Sequence, residues 1–167
     1  HILDSAEVLF AEKGFDGTSV RDIAGHANVN LAMISYYFGS KEKLLVSLIE
    51  HRAGYTRGII EELAKDENLA PFEKMDRLVD FYVDKIFSNS RFHCIVTTHL
   101  PTVQSNDIKD MMADIKFRNL EQIKKIITDG QKKKVFGKVD MELTVASIMG
   151  TITQVTSSKA FYYRVFN

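Results

Sequence analysis

Residues 93–99 hold three side chains capable of covalent or metal chemistry: His93, Cys94 and His99. A thiolate beside an imidazole is a potential nucleophile, and the three together offer metal donors. Their spacing argues against both uses. His93 adjoins Cys94, so a helix turns them to different faces, and Cys94 and His99 are five apart, a poor interval for sharing one. No Cys-x-x-Cys, His-Glu-x-x-His, Gly-rich phosphate loop or Gly-x-Ser-x-Gly occurs. Cys94 therefore reads as a core thiol; a Cys/His-dependent enzyme is the weakest alternative, and neither cofactor nor metal is expected. A different chemistry is spread over residues 18–41. Hydroxyls, amides and cations are frequent there and offer hydrogen bonds and charge rather than covalent chemistry.

The elements that must position these groups read as helices. Leu3, Ala6 and Phe10 form a stripe that ends at Gly14, a natural left-handed cap. Thr18 or Ser19 caps a short helix over 20–27, with Ser19 and Asp22 at capping-box spacing. Asn30 caps another over 31–38, and after Gly39, Ser40 opens a longer one whose period runs through Leu44, Leu48, Ile49, Ile60 and Leu63. Pro71 starts a helix with Phe72, Met75, Leu78, Val79, Tyr82 and Ile86 on one face. Residues 92–100 form a short apolar segment stopped by Pro101. Asn106 is expected to cap a long helix ending at Gly130, and Asp140 to open a last one over 143–157 that is buried all round. No strand alternation and no internal repeat are present, so the fold is expected to be all-α.

Three short helices with tight turns are the size of a helix-turn-helix DNA reader. The string Gly14-Phe-Asp-Gly-Thr-Ser-Val-Arg-Asp-Ile-Ala, then Ala27-Asn-Val, then Ile34-Ser-Tyr-Tyr-Phe-Gly-Ser-Lys-Glu-Lys-Leu-Leu45 closely resembles the TetR family of bacterial transcriptional regulators. The resemblance implies a helix-turn-helix DNA-binding domain over 1–45 and a larger helical ligand-binding and dimerisation domain over 46–167. By position within the matched motif, Leu31, Ala32, Met33, Ser35 and Tyr36 are the candidates for base or backbone contact, joined by Asn30. Thr18, Ser19 and Tyr37 suit phosphates, Lys41 matches the family's phosphate-contacting lysine, and Arg21 adds a further cation. Ile23, Ala24, Val29 and Ile34 are expected to lock the two short helices together.

Charge points elsewhere. The whole chain balances 22 basic against 22 acidic residues, which excludes a polybasic binder driven by bulk electrostatics. Residues 1–43 carry four basic and six acidic side chains, whereas residues 116–138 carry eight basic and two acidic ones. Lys132-Lys133-Lys134 follows a helix end, where cations complement exposed carbonyls, so a solvated terminus is its expected role.

With 167 residues, one cysteine, no apolar run of the roughly 20 residues a membrane span needs and no signal-peptide pattern, a cytoplasmic location is expected. In the region beyond 46, Phe81, Tyr82, Thr98, His99, Met112, Phe117 and Met149 are the ligand-binding candidates, with Phe87, Phe92 and Met111 as further apolar lining and Thr97 and Gln154 as further polar anchors. The small-residue helix over 143–157 is the candidate for part of a two-fold dimer seam. The expected protein is a homodimeric, ligand-responsive repressor that binds a palindromic operator on double-stranded DNA and answers to an unknown small-molecule effector. A helical adaptor that does not bind DNA is the alternative.

Overall fold

A computed structural model describes residues 1–88, 90–158, 161, 164 and 165; the side chains of residues 86, 87, 90 and 156 lie outside this description, and with them the candidate Phe87. Among the described residues the chain is helical with no strand. The helices are α1 (Ile2–Lys13), α2 (Val20–His26), α3 (Leu31–Phe38), α4 (Lys41–Lys65), α5 (Pro71–Ser88), α6 (Ser90–Cys94), α7 (Asn106–Lys132) and α8 (Met141–Ser157). Between α6 and α7 the expected apolar segment is no plain helix. Ile95–His99 widens into a π-turn and Leu100–Thr102 tightens into a 3-10 turn carrying Pro101, which has no N–H to continue the ladder.

By packing, the chain divides into two units, His1–Thr56 with Asn89–Ala113 and Arg57–Ser88 with Asp114–Asn167. The first is thus larger than the 1–45 span read for DNA binding. Its core joins Phe10 of α1, Ile23 and Ala24 of α2, Ile34 of α3 and Leu44, Leu45 and Leu48 of α4, with Ile95 and Ile108 from the later segments, all buried. An ion pair adds to it. The guanidinium of Arg52 on α4 donates from Nε (2.7 Å) and Nη2 (2.6 Å) to the buried Glu7 carboxylate on α1.

The second unit centres on Ile60, Leu78, Tyr82, Ile123, Ile126, Ile127, Val145 and Ile152. Asp140 caps α8 as its sequence suggests, accepting a hydrogen bond from Leu143 N (2.8 Å). Three local expectations change. Ser105, not Asn106, caps α7, through a bond from Ile108 N to its Oγ (3.4 Å). Gly130 does not end α7, which runs on to Lys132. Its carbonyl accepts from both Val135 N (2.8 Å) and Phe136 N (3.0 Å), folding Phe136 back over the glycine Cα. The last helix is not buried all round either. Val145 and Ile152 are buried, but Leu143, Ala146, Ser147, Gly150, Thr151 and Gln154 form an exposed stripe.

A Cβ at Gly130 would collide with the Phe136 ring. Gly130→Ala gains helix propensity of up to about 1 kcal/mol, but the overpacking costs about 1–3 kcal/mol. Net destabilisation in urea melts is expected, and raised stability would show that the ring does not occupy this position.

Candidate functional site

The turn between α2 and α3 depends on one residue. Asn28 adopts φ of 51°, a left-handed conformation that asparagine tolerates better than most side chains. Val29 N then donates back to Ala24 O (3.0 Å), and Ala27 is buried at the corner, where a larger side chain would force the helices apart. Asn30 Oδ1 accepts from Ala32 N (2.9 Å) and starts α3, while Gly39, at φ of 78°, ends it. The helix so placed is anchored by Ile34, which is 1% exposed. Leu31, Ala32, Met33, Ser35, Tyr36 and Tyr37 all face solvent, and Tyr36 and Tyr37 are 83% and 63% exposed. Their rings meet edge to face, with centroids 5.1 Å apart. A short helix that leaves so much apolar and aromatic surface uncovered presents a contact surface. Phe38 is half-buried, in keeping with a packing role.

The polar residues flanking α3 divide by what their side chains already do. Thr18 is 1% exposed, and its hydroxyl proton is shared between the carbonyls of Leu9 (3.1 Å) and Gly14 (2.8 Å). Ser19 closes a capping box: its Oγ accepts from Asp22 N (3.1 Å) and donates to Asp22 Oδ2 (2.6 Å), which also accepts from Ser19 N (2.9 Å). These bonds hold the Asp22 carboxyl below its ordinary value. The hydroxyls at 18 and 19 are therefore engaged within the fold.

Lys41 is engaged too. Its ammonium donates to Phe15 O (2.8 Å) and Thr18 O (3.0 Å) and sits 4.2 Å from the Phe15 ring centroid. Two of its three protons are used, so one remains for an outside acceptor. Arg21 is exposed on α2.

The groups at 93–99 also have internal work. His99 Nε2 donates to Ala11 O (3.2 Å), Cys94 Sγ points at the same carbonyl (4.0 Å), and the His99 ring packs against Gly14. His93 Nε2 is buried without a partner among the described residues, and burial pushes its pKa down. Among the described residues no cluster of three or more His, Cys, Asp or Glu side chains could hold a metal.

The ligand candidates do not form one set. Thr98, His99 and Met112 belong to the first unit, and Phe81, Tyr82, Phe117 and Met149 to the second. Phe117 is exposed. Of the residues named for the ligand, Tyr82, Met149 and the polar anchor Gln154 line the cavity of about 610 Å³ that opens among α5, α7 and α8. Sequence reading missed the rest of its wall, notably Leu120, Ile123, Val145 and Gly150, because core and cavity lining carry the same apolar signal. It also missed the Glu7–Arg52 pair, whose partners lie 45 residues apart.

Residues 2–48 match the family model described as "Bacterial regulatory proteins, tetR family". The chain is 34% identical over 139 residues to the probable HTH-type transcriptional regulator YttP of Bacillus subtilis, a match covering 81% of this chain and 65% of that one. It is 30% identical over 155 residues to the HTH-type transcriptional repressor NicS of Pseudomonas putida, covering 89% and 70%. The fold is shared with the transcriptional regulator FadR of Bacillus subtilis, solved in complex with stearoyl-CoA. There the TM-score is 0.82 at 23% identity, over 98% of this chain and 87% of the other.

Two outcomes test the local geometry. Thr18→Val removes the shared proton and is expected to cost about 1–2 kcal/mol in urea denaturation; unchanged stability with weakened DNA binding would instead make the hydroxyl an outward contact. In an NMR titration, the Asp22 carboxyl midpoint should fall below 3.8. A lowered folded pKa means that the box stabilises α2 fully above the ordinary value and fails as pH drops through the folded one. A midpoint at or above 3.8 would exclude the box in solution.

Proposed function

The chain belongs to the tetR family of bacterial regulatory proteins, and from that premise we propose that it is a cytoplasmic DNA-binding repressor without enzymatic activity, active as a homodimer and released by a small-molecule effector. The observation that carries this reading is α3, with Ile34 buried and six of its residues turned outward. Residues 1–45 form the DNA-binding part in this reading, with α3 in the major groove, where side chains near a helix N-terminus reach base edges. Met33 and Leu31 suit thymine methyls, and Ser35 and the Tyr36 hydroxyl supply hydrogen bonds. Thr18 and Ser19 act through the backbone they hold in place, and phosphates meet Tyr37, Arg21 and the remaining Lys41 proton. Residues 46–167 take the effector and the second subunit. The exposed small-residue stripe of α8 suits close packing across a two-fold axis. α4 starts among the DNA-reading helices and continues into the second unit, so a ligand that prefers one α4 position changes the spacing of two heads. No helix of the described residues is long and apolar enough to cross a membrane, in keeping with this reading.

So few outward cations predict weak salt dependence, with log K falling by about 0.9 per neutralised phosphate. Selection of bound sequences from random duplex DNA should enrich a palindrome whose half-sites lie about 34–36 Å apart or at a multiple of that. On that site, alanine at Lys41 should flatten the salt slope, and alanine at 132–134 should leave it unchanged. The reverse pattern would move the interface to the basic segment, and no enriched sequence would favour the adaptor.

A further inference from the structure

The cavity of the second unit has an uneven wall. Its floor is apolar, made by Leu120 and Ile123 of α7 and Val145 and Met149 of α8. Asn119, Thr153 and Gln154 also line the wall, but the most deeply placed uncharged polar group beside the apolar side chains is Tyr82. Tyr82 is 7% exposed, lines the cavity, and its hydroxyl has no hydrogen-bond partner among the described residues. With no protein partner, that hydroxyl is left to hydrogen-bond with whatever occupies the cavity. Burial pushes its pKa up to about 12, so it stays a neutral donor throughout the physiological range. Room is provided by α8, since a Cβ built on Gly150 meets nothing within 4 Å.

The mouth is unevenly charged. Glu142 stands at the rim, but its carboxylate is held by Lys124 (3.3 Å), which also reaches Glu121 (3.5 Å). Lys116, exposed at the same rim, has no ion pair among the described residues. Lys116 is thus the cation at the opening that no carboxylate among the described residues contacts.

Resting on the effector-binding role given above to this part of the chain, we propose that the cavity takes an amphipathic organic anion with a second oxygen on its body. The anionic group meets Lys116 at the rim, the apolar body lies on Ile123, Val145 and Met149, and the second oxygen accepts the Tyr82 proton. The complementarity is threefold: an unspent cation outside, an unspent donor inside, and hydrocarbon between them.

Calorimetric titration of the full chain without DNA tests this with four probes of one chain length: decanoate, 10-hydroxydecanoate, decan-1-ol and decyltrimethylammonium. Decanoate is expected to bind roughly tenfold more tightly than the cation, and Lys116→Gln to remove most of that difference. Tyr82→Phe should weaken 10-hydroxydecanoate about fivefold and leave decanoate nearly unchanged. Met149→Phe, which fills part of the cavity from a position outside the exposed stripe of α8, should weaken binding of every probe while the thermal transition holds. Equal or tighter binding of the cation, absence of anion binding, or anion binding indifferent to all three variants would overturn the proposal. A parallel titration with the selected operator separates the two readings. Anion binding without any operator leaves the ligand class standing and removes the regulator; an operator bound by a protein that ignores the anions does the opposite.

Discussion

The carbonyl groups at the end of α1 are the constraint on which the first unit is built. A helix leaves its last four carbonyls without intrahelical donors, and burial makes each one costly unless another group supplies a proton. Here α1 ends against the rest of the unit, so the donors must be brought in. Gly14 N serves Phe10 O, the Thr18 hydroxyl is shared between Leu9 and Gly14, and His99 and Cys94 converge on Ala11. Beyond the helix, Lys41 at the start of α4 takes the carbonyls of Phe15 and Thr18 in the turn that follows. Gly17 fits because a Cβ there would run into Lys13 O. Once these demands are met, the turn between α1 and α2 is fixed to the base of α4, and α3 can remain almost wholly uncovered.

The same accounting explains why the groups that look most reactive in the sequence have no catalytic arrangement. Cys94 and His99 do meet, but at a backbone oxygen rather than at each other. The π-turn that follows α6 widens the helix just where these residues face α1, so spacing rules for a regular helix do not describe them.

Much of the first unit was legible because its signals are local. Ser19 with Asp22, Asn30, Gly39 and Asp140 announce caps within three or four residues of the groups they serve, and the structure uses each in that way. The outward set on α3 was legible from its position within the matched TetR-like motif. What stayed hidden was long-range. That Thr18 turns inward and Lys41 donates to a turn 23 to 26 residues away depends on where two helices come together, and no local pattern carries that. In α8, abundant small and apolar residues predicted burial, yet the stripe from Leu143 to Gln154 is uncovered in a single chain because apolar composition does not say which surface will cover it. The ligand candidates failed to converge for a related reason. Aromatics and methionines along 81–149 belong to two packing units, and a list ordered by residue type cannot separate them.

The donors around α1 are side chains and nearly all the acceptors are backbone, and this divides the positions by how freely they can drift. Ala11, Leu9 and Phe15 offer oxygens that any residue would offer, so these bonds survive replacement there so long as the packing does. Thr18, Lys41 and His99 supply protons that few side chains could deliver from the same places. Random mutagenesis of this unit should therefore find its intolerant positions scattered over three distant stretches of chain. Their common purpose would be visible only from the helix end and the turn after it, which they serve together.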